Sequence, residues 1–474
     1  MTDDKTDLVI IGGGPAGYAA AFLAADLAMG VVLIDPETHP GGTCLYRGCI
    51  PSKALLHVAK LMHEAKAAKA WGVTFGEPEL DLNKLRSWKN EVVDNLTGGL
   101  GRLVDKRKIR HMQGTAAFLD NHTLAVTSND GKRSRLAFEK AIIATGSKPI
   151  ALPAVPVDHD RIWNSKSALE LPSIPKRLLV VGGGYIGLEL GSVYAALGSR
   201  VSVAEMTPTL LPGVDRDLVR FLQKGLTERF EQILLQTMVS RVKVQKNGVK
   251  VTLQPSDEQS TTQLFDHVLA AVGRLPNSDG LGLENTRIRT DERGFVQVDA
   301  QRRTAESHIL AVGDIAGEPM LAHKASHEAR VAVEVLNAKN VVYEPSAIPA
   351  VVFTDPEIAW AGFTESDARD RKIPHKISRF PWAASGRAAT LGRSDGLTKL
   401  VIDPESERIL GAGLVGPGAG EMIAEAVLAI EMAATATDVA LTIHPHPTLS
   451  ETVMEAAEVY HGLATHYYRP IKKK

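Results

Sequence analysis

The sequence predicts an α/β fold in which two Rossmann-like dinucleotide-binding domains precede a C-terminal α+β domain. One pattern that occurs twice predicts the first two domains: an apolar run, a glycine turn, a helix and a second apolar run that ends in an acidic residue. A change near Tyr343 predicts the third, because the chain then reads as short strands with prolines and one apolar helix, 421–434. The length of 474 residues fits about three domains of roughly 150 residues each.

Composition limits the function classes. The chain has 54 Lys+Arg against 55 Asp+Glu, and this balance argues against nucleic acid or an anionic membrane as the main partner. Residues 1–7 are polar and acidic, so they predict neither a secretory signal nor a transit peptide. No apolar stretch reaches the roughly 18 residues of a membrane span. We expect a soluble cytoplasmic protein whose last three lysines form a solvated tail, although a mature organellar protein would have the same features.

The first glycine turn follows the apolar run 8–11. Gly12 permits a tight turn, Gly14 lets the backbone approach a pyrophosphate, and Gly17 lets the helix and the strand pack closely. The helix N-terminus favours the phosphate charge, and Asp35 can bind a ribose hydroxyl pair. Glycine turns without a ligand are common, but the flanking strands and the acid favour dinucleotide binding.

Only two cysteines occur, Cys44 and Cys49, with four residues between them. A close pair in an otherwise cysteine-free intracellular chain favours cycling between disulfide and dithiol. Pro51 suits the first turn of a helix, whose positive N-terminus would favour a Cys49 thiolate. The alternatives are half of a zinc site or two inert thiols, and because no second cysteine pair supplies ligands we predict no metal.

The glycine turn returns at Gly182, Gly184 and Gly187, and its acid is Glu205. The first glycine and the acid both recur after 170 residues (182 − 12 and 205 − 35). Two such sites around a redox pair suggest a tightly held flavin on the first and an exchangeable nicotinamide on the second. Because Glu205 would accept hydrogen bonds from a 2'-hydroxyl and repel a 2'-phosphate, we expect NAD rather than NADP.

The remaining segments read mostly as scaffold. A polar helical stretch and short strands near 114–118 and 123–126 precede a strand, 141–144, that ends at Gly146 and a proline-rich link, 149–156. Two later apolar strands also end at glycine turns, at Gly273 and at Gly313-Asp314. The carboxylate of Asp314 could bind ribityl hydroxyls of a flavin or simply cap the turn.

The C-terminal domain contains the segment His444-Pro445-His446-Pro447-Thr448-Leu449-Ser450-Glu451. Thr448 and Glu451 have the spacing of a capping box, in which Glu451 would only cap a helix. Alternatively, Glu451 orients the ring of His446 and raises its basicity, as a base that deprotonates a thiol requires. Spacing alone does not separate these two interpretations.

Several motifs together resemble the dihydrolipoamide dehydrogenases within the pyridine nucleotide-disulfide oxidoreductase family, over nearly the whole chain. The motifs are GGTCLYRGCIPSKALLH (41–57), GGGYIGLELG (182–191), LLPGVDRDL (210–218), AVGRLPN (271–277), AVGDIAGEPMLAHKA (311–325) and HPHPTLSE (444–451). Relatives that reduce glutathione have a lysine where Ser52 stands, and mercuric reductases add C-terminal cysteines that this chain lacks. The chain departs from the usual pattern at Tyr46 and Arg47.

The resemblance implies FAD on the first motif, NAD on the second, Lys53 near the flavin and paired with Glu189, and Tyr185 as a gate of the nicotinamide pocket. It assigns to FAD the residues Gly12, Gly14, Gly17, Asp35, Thr43, Lys53, Gly114, Ala116, Thr145, Gly146, Gly313, Asp314, Met320, Leu321, Ala322 and His323. It assigns to NAD the residues Gly182, Gly184, Tyr185, Ile186, Gly187, Glu189, Glu205, Val239 and Gly273.

The resemblance also implies domain limits, an assembly and a reaction. An FAD-binding domain (1–150), an NAD-binding domain (151–276) and a central segment that completes the FAD site (277–345) precede an interface domain (346–474). A homodimer is expected, in which His446 and Glu451 act with Cys44 and Cys49 of the other subunit. The implied reaction is oxidation of a small dithiol, the dihydrolipoyl group, carried by a lipoylated acyltransferase or lipoyl carrier protein of a multienzyme complex. The other readings are an NAD-linked reductase of another disulfide and a structural subunit with an architectural flavin.

Overall fold

The structure is a computed structural model that describes residues 4–152 and 159–468. Part of the predicted proline-rich link, the first three residues and the terminal lysines lie outside the described residues. Three successive groups of elements follow, and each contains its own sheet.

The first group contains a six-stranded sheet, which is completed by one later strand. Its elements are β1 (Asp4–Ile11), α1 (Pro15–Asp26), β2 (Val31–Asp35), α2 (Gly42–Arg47), α3 (Cys49–Ala67), α4 (Leu82–Lys106), β3 (Arg110–Phe118), β4 (Thr123–Ser128), β5 (Arg133–Ile143) and β6 (Ser147–Pro149). β1 lies between β2 and β5 and is parallel to both. Its last four residues are buried, which is the continuous apolar pattern of a central parallel strand. The long strands β3 and β5 also pair with β4 in an antiparallel meander.

The second group repeats the arrangement of the first. Its elements are β7 (Ile162–Trp163), α5 (Ser165–Leu169), β8 (Arg177–Val181), α6 (Tyr185–Ala196), β9 (Arg200–Ala204), α7 (Arg216–Arg229), β10 (Gln232–Leu234), β11 (Thr237–Gln245), β12 (Gly248–Pro255), β13 (Thr261–Phe265), β14 (His267–Ala270) and β15 (Arg274–Pro276). The parallel strand order is β10-β9-β8-β14-β7, and β11, β12 and β13 form a separate antiparallel sheet. β8 therefore lies between β9 and β14 just as β1 lies between β2 and β5.

The chain then returns to the first sheet. β16 (Ile309–Ala311) pairs in parallel with β5, and α8 (Ala322–Leu336) packs against α1. This crossing supports the predicted limits at residues 150, 276 and 345, which we retain as a proposal.

The C-terminal group is a five-stranded antiparallel sheet with helices packed against it. Its elements are β17 (Ala350–Val352), β18 (Glu357–Gly362), α9 (Glu365–Asp370), β19 (Lys376–Pro381), α10 (Gly386–Thr390), β20 (Leu397–Ile402), β21 (Ile409–Gly416), α11 (Ala419–Glu431), α12 (Ala436–Leu441) and α13 (Glu451–His461). The strand order is β17-β18-β21-β20-β19, with α11 and α13 packed on the sheet. The predicted helix 421–434 thus begins two residues earlier and ends at Glu431.

A buried ionic cluster joins the second group to the C-terminal sheet. The ammonium group of Lys399, on β20, lies 2.6 Å from an oxygen of Asp215 and 2.7 Å from an oxygen of Asp217 at the start of α7. It is also 3.4 Å from Glu365, and Arg379 of β19 bonds Asp217 at 2.7 Å. The Lys399 side chain is only 1% exposed. The cluster gives the motif at 210–218 a structural role, because its two aspartates hold the domains together.

Replacing Lys399 by Met should destabilise the protein. The change leaves three carboxylates without their shared cation, and breaking a buried ion pair from one side costs about 3–5 kcal/mol. Urea unfolding should show a lower midpoint for Lys399→Met, whereas Lys376→Met, an exposed lysine on the neighbouring strand β19, should change stability by less than about 0.5 kcal/mol. Equal midpoints for the two variants would contradict this role.

Candidate active site

The cysteine pair lies at a helix N-terminus, as the sequence predicts. Cys49 is the first residue of α3, and Gly48 before it caps that helix without a side-chain hydrogen bond. Cys44 lies on the short helix α2, is half-buried, and both cysteines are free thiols in the structure. A hydrogen bond from the Cys44 thiol and the nearby charge of Lys53 lower the pKa of Cys49 to about 7. The same hydrogen bond and burial raise the pKa of Cys44. Of the two thiols, Cys49 is therefore the one that loses its proton more readily.

Lys53 is paired with Glu189, as the resemblance implies. Its Nζ lies 2.8 Å from Oε2 of Glu189, and the hydroxyl of Ser52 donates to the same oxygen at 3.0 Å. The other carboxylate oxygen accepts the backbone N–H of Phe353 at 3.0 Å. The Glu189 side chain is 4% exposed. Three separate stretches of the chain therefore meet at one buried carboxylate.

The first glycine turn has the geometry of a pyrophosphate cradle. Gly12 has a φ of +106°, and a side chain there would collide with the carbonyl of Ala144. Gly14 caps α1 without any side-chain hydrogen bond, so the N–H groups of the first helical turn point at a potential anion. Asp35 accepts the N–H of Gly13 at 2.5 Å and the N–H of Glu37 at 3.0 Å, and burial raises its pKa.

A cavity of about 670 Å³ extends from this turn to the cysteines. It has the size of a cofactor site. The residues predicted for FAD that line it are Gly12, Gly14, Asp35, Thr43, Lys53, Gly114, Ala116, Thr145, Gly146, Gly313, Asp314, Met320 and Ala322.

Three residues predicted for FAD do not line this cavity. Gly17 lies within α1, where a side chain would collide with the carbonyl of Gly12, so its role is helix packing. Leu321 caps α8, and the ring of His323 is 2.7 Å from the carbonyl oxygen of Pro349. Leu321 and His323 adjoin Met320 and Ala322, which do line the cavity. The turn into α8 therefore directs alternate residues of this segment toward the cavity and away from it.

The second glycine turn repeats the first in detail. Gly182 also has a φ of +106°, and Gly184 caps α6 without a side-chain hydrogen bond. Glu205 accepts the N–H of Gly183 at 2.6 Å and the N–H of Thr207 at 2.8 Å. A side chain at Gly187 would meet the carbonyl of Gly182 at 2.4 Å, which is the close helix–strand packing that the motif predicts.

The residues predicted for NAD separate into two sets. Tyr185, Ile186 and Glu189 line the same cavity as the cysteines. Tyr185 is 40% exposed, and burial of its hydroxyl raises its pKa to about 12. Gly182, Gly184, Gly187, Glu205, Val239 and Gly273 do not line that cavity. The side chain of Val239 is buried in the core formed with Leu179, Val181 and Val268, so only its backbone could meet a cofactor.

Contacts that the sequence did not predict hold the Asp314 turn. The hydroxyl of Ser147 donates to Oδ2 of Asp314 at 2.5 Å, and Nε of Arg274 donates to that hydroxyl at 2.8 Å. Behind the turn, the fully buried Glu328 accepts the N–H of Gly313 at 2.7 Å. Its carboxylate is paired with Arg302 at 2.9 Å and Lys324 at 3.0 Å.

The two unusual residues between the cysteines are anchored locally. The hydroxyl of Tyr46 donates to the carbonyl of His39 at 2.9 Å. Arg47 is paired with Glu37, and both side chains line the cavity near Asp35. No short sequence pattern predicts these partners.

His446 and Glu451 are brought together by the structure. Nδ1 of His446 lies 2.8 Å from Oε1 of Glu451, while Oε2 of Glu451 accepts the N–H of Thr448 at 2.7 Å. The predicted capping box does not form, because α13 begins at Glu451, its cap residue Ser450 makes no side-chain cap hydrogen bond, and the hydroxyl of Thr448 donates to the carbonyl of Pro445. The contact between Glu451 and the His446 ring is the geometry of the alternative interpretation. The His446 side chain is 71% exposed and lies outside the cavity with the cysteines.

The described residues contain no helix long and apolar enough to cross a membrane. Across residues 4–152 and 159–468, no cluster of three His, Cys, Asp or Glu side chains has the geometry of a metal site.

Comparison with known families and proteins agrees with this geometry. A family model described as pyridine nucleotide-disulphide oxidoreductase matches residues 6–329, and the dimerisation domain of the same family matches 348–457. Relatives named dihydrolipoyl dehydrogenase include those of Vibrio cholerae (46% identical, covering 97% of both chains) and Haloferax volcanii (44% identical, 97% of both).

Two solved structures have the same fold. LpdA of Mycobacterium tuberculosis has a TM-score of 0.88 at 27% identity, and 96% of this chain and 99% of that chain are covered. The copper complex of the HOCl-induced flavoprotein disulfide reductase RclA from Escherichia coli has a TM-score of 0.86 at 28% identity, with the same coverage.

Two dinucleotide cradles beside a cysteine pair define a flavin- and nicotinamide-dependent disulfide oxidoreductase. The chain belongs to the pyridine nucleotide-disulphide oxidoreductase family. It is an FAD-dependent enzyme that uses NAD.

The residues present fit both cofactors. A side chain at Gly146 or Gly184 would meet nothing within 4 Å, so open space faces each glycine. The first turns of α1 and α6 provide uncapped N–H groups for two pyrophosphates.

Alkylation of the reduced holoenzyme by iodoacetamide should reveal the Cys49 thiolate. The rate should rise with a midpoint near pH 7, and Lys53→Met should raise that midpoint because a cation that stabilises the thiolate is lost. Lys60→Met, an exposed lysine on the same helix, should leave it unchanged. Peptide mass spectrometry identifies the alkylated residue. A wild-type midpoint at the ordinary thiol value of about 8.5 would refute the assignment.

Proposed function

We propose that this chain is a dihydrolipoyl dehydrogenase, which oxidises dihydrolipoyl groups to lipoyl disulfide and reduces NAD+. The observation that carries the proposal is the pair of Cys44 on α2 and Cys49 at the start of α3, beside two dinucleotide cradles, in a chain 46% identical to a relative with that name along 97% of its length. The carriers would be lipoylated acyltransferases or lipoyl carrier proteins. The predicted cytoplasmic location belongs to the same proposal.

The two cysteines have different roles in the proposed reaction. One thiolate of the substrate attacks Cys44 of the oxidised pair, so the Cys44–Cys49 disulfide breaks and Cys49 leaves as a thiolate. The second substrate thiol then attacks the mixed disulfide, which releases lipoyl disulfide and leaves Cys44 as a thiol. The low pKa of Cys49 makes it the better leaving group. FAD bound in the cavity that Lys53 and Asp314 line would supply the acceptor for the electron pair of the reduced cysteines, and NAD+ would be the final hydride acceptor.

The proposed base is His446, oriented by Glu451. Its Nδ1 contacts the carboxylate, so Nε2 is the nitrogen available to take a substrate thiol proton. Because the ring is exposed and outside the cavity, we infer that it serves the cysteines of a second subunit in a homodimer. Exposed apolar side chains around this segment support such an interface, including Leu441 (76% exposed) and Ile443 (95%).

An activity assay separates the proposed function from its two alternatives. With dihydrolipoamide and NAD+, the enzyme should form NADH, measured by its absorbance. One dithiol should be oxidised to a disulfide, and one proton released, for each NADH formed. A reductase of another disulfide would instead consume NADH only with its own substrate, and an architectural flavin protein would show neither reaction. Either of these two results would refute the proposal.

A mixed dimer tests the shared site. Cys44→Ser and His446→Gln homodimers should each be nearly inactive, since one lacks the attacked sulfur and the other the base. In a heterodimer purified with two tags, one site carries both changes and the other is intact, so about half of the wild-type activity should return if the sites are independent. If the base acted within its own chain, each site would carry one change. A folded, flavin-loaded and inactive heterodimer would therefore overturn the shared site.

A further inference from the structure

Among the described residues, Phe353 is the one residue of the C-terminal domain that donates a hydrogen bond to Glu189. It directly follows β17, and its backbone N–H donates to Oε1 of Glu189 at 3.0 Å. The opposite oxygen of that carboxylate binds Lys53. The carboxylate of Glu189 thus connects the backbone of the C-terminal domain to Lys53, which lies in the first turns of α3.

The ring of Phe353 makes a second contact with the same lysine. Nζ of Lys53 lies 4.5 Å from the centroid of the Phe353 ring, within the range of a cation–π interaction. The Lys53 side chain is 32% exposed, so water competes for its ammonium group. A carboxylate on one side and an aromatic face on another restrict a flexible four-carbon side chain more than either contact alone.

The position of this ammonium group matters for the cysteines. Lys53 is four residues after Cys49 on α3, so the two side chains lie on one face of the helix. The positive charge of Lys53 favours the Cys49 thiolate, whereas the negative charge of Glu189 opposes it. Because the Coulomb energy falls with distance, a lysine that moves away from Cys49 leaves the opposing carboxylate in place.

We propose that Phe353 is a positioning residue that holds the ammonium group of Lys53 beside Cys49, so that the C-terminal domain takes part in setting the reactivity of the redox pair. The proposal depends on the two contacts of Phe353 and on the cysteine pair, and it is independent of which disulfide the enzyme acts on.

The test is the pH profile of iodoacetamide alkylation of Cys49 in the reduced holoenzyme. Phe353→Met keeps an apolar side chain of similar volume but removes the ring, and it should raise the midpoint by about half a pH unit, less than Lys53→Met does. Phe353→Tyr retains an aromatic face and should keep the wild-type midpoint. Phe353→Leu is a second variant without the ring, for use if Phe353→Met does not bind flavin.

A double variant and a matched control exclude a general structural effect. If Phe353 acts through Lys53, adding Phe353→Met to Lys53→Met should not shift the midpoint further. Phe363→Met removes another ring of the C-terminal domain that faces a cation, Arg371 at 5.4 Å, and should have no effect. The proposal is overturned if the ring-free variants keep the wild-type midpoint, if Phe353→Tyr shifts it as they do, or if Phe353→Met shifts it equally without Lys53.

Discussion

The buried carboxylate of Glu189 is the constraint on which the arrangement of the site depends. A carboxylate that is 4% exposed must be compensated by hydrogen bonds or charges, because its desolvation is costly. Its donors are Ser52 and Lys53 of α3 and the backbone of Phe353, and each comes from a different part of the chain than α6, which carries Glu189. Satisfying this one group therefore fixes the redox helix, the second dinucleotide domain and the C-terminal domain relative to one another.

The same physical solution is used twice to build the two cradles. In each, a glycine with a φ of +106° lets the chain turn sharply between strand and helix. The acid at the end of the next strand then accepts an N–H from that turn, at 2.5 Å for Asp35 and 2.6 Å for Glu205. Each acid thus stabilises the turn before any ribose is bound, and since each of its oxygens accepts only one N–H here, it keeps acceptor capacity for ribose hydroxyls.

The chemistry of the site comes from an imbalance between two similar thiols. Cys49 lies at the N-terminus of α3 near the positive charge of Lys53, and both favour its thiolate. Cys44 is half-buried and donates a hydrogen bond to Cys49. One sulfur is therefore stabilised as an anion and the other as a thiol, which is the division that a directed disulfide exchange needs. The imidazole that would serve Cys44 is exposed on another domain, paired with Glu451, and this separation is the reason for placing the proposed base in a second subunit.

The sequence by itself determined the features that depend on neighbours along the chain, namely both glycine turns with their acids and the position of Cys49 at the start of a helix, and it left the partner of Glu451 open. Each of these is a local arrangement, because turn geometry, helix starts and short spacings follow from adjacent residues. Only the tertiary structure decided which residues of a motif reach the cavity, since it includes Ala322 and leaves out Leu321 and His323. It also decided three contacts, those of Asp314 with Ser147, of Lys399 with Asp215 and of Phe353 with Lys53, because the two residues of each pair are separated by more than a hundred residues and meet only when the chain folds.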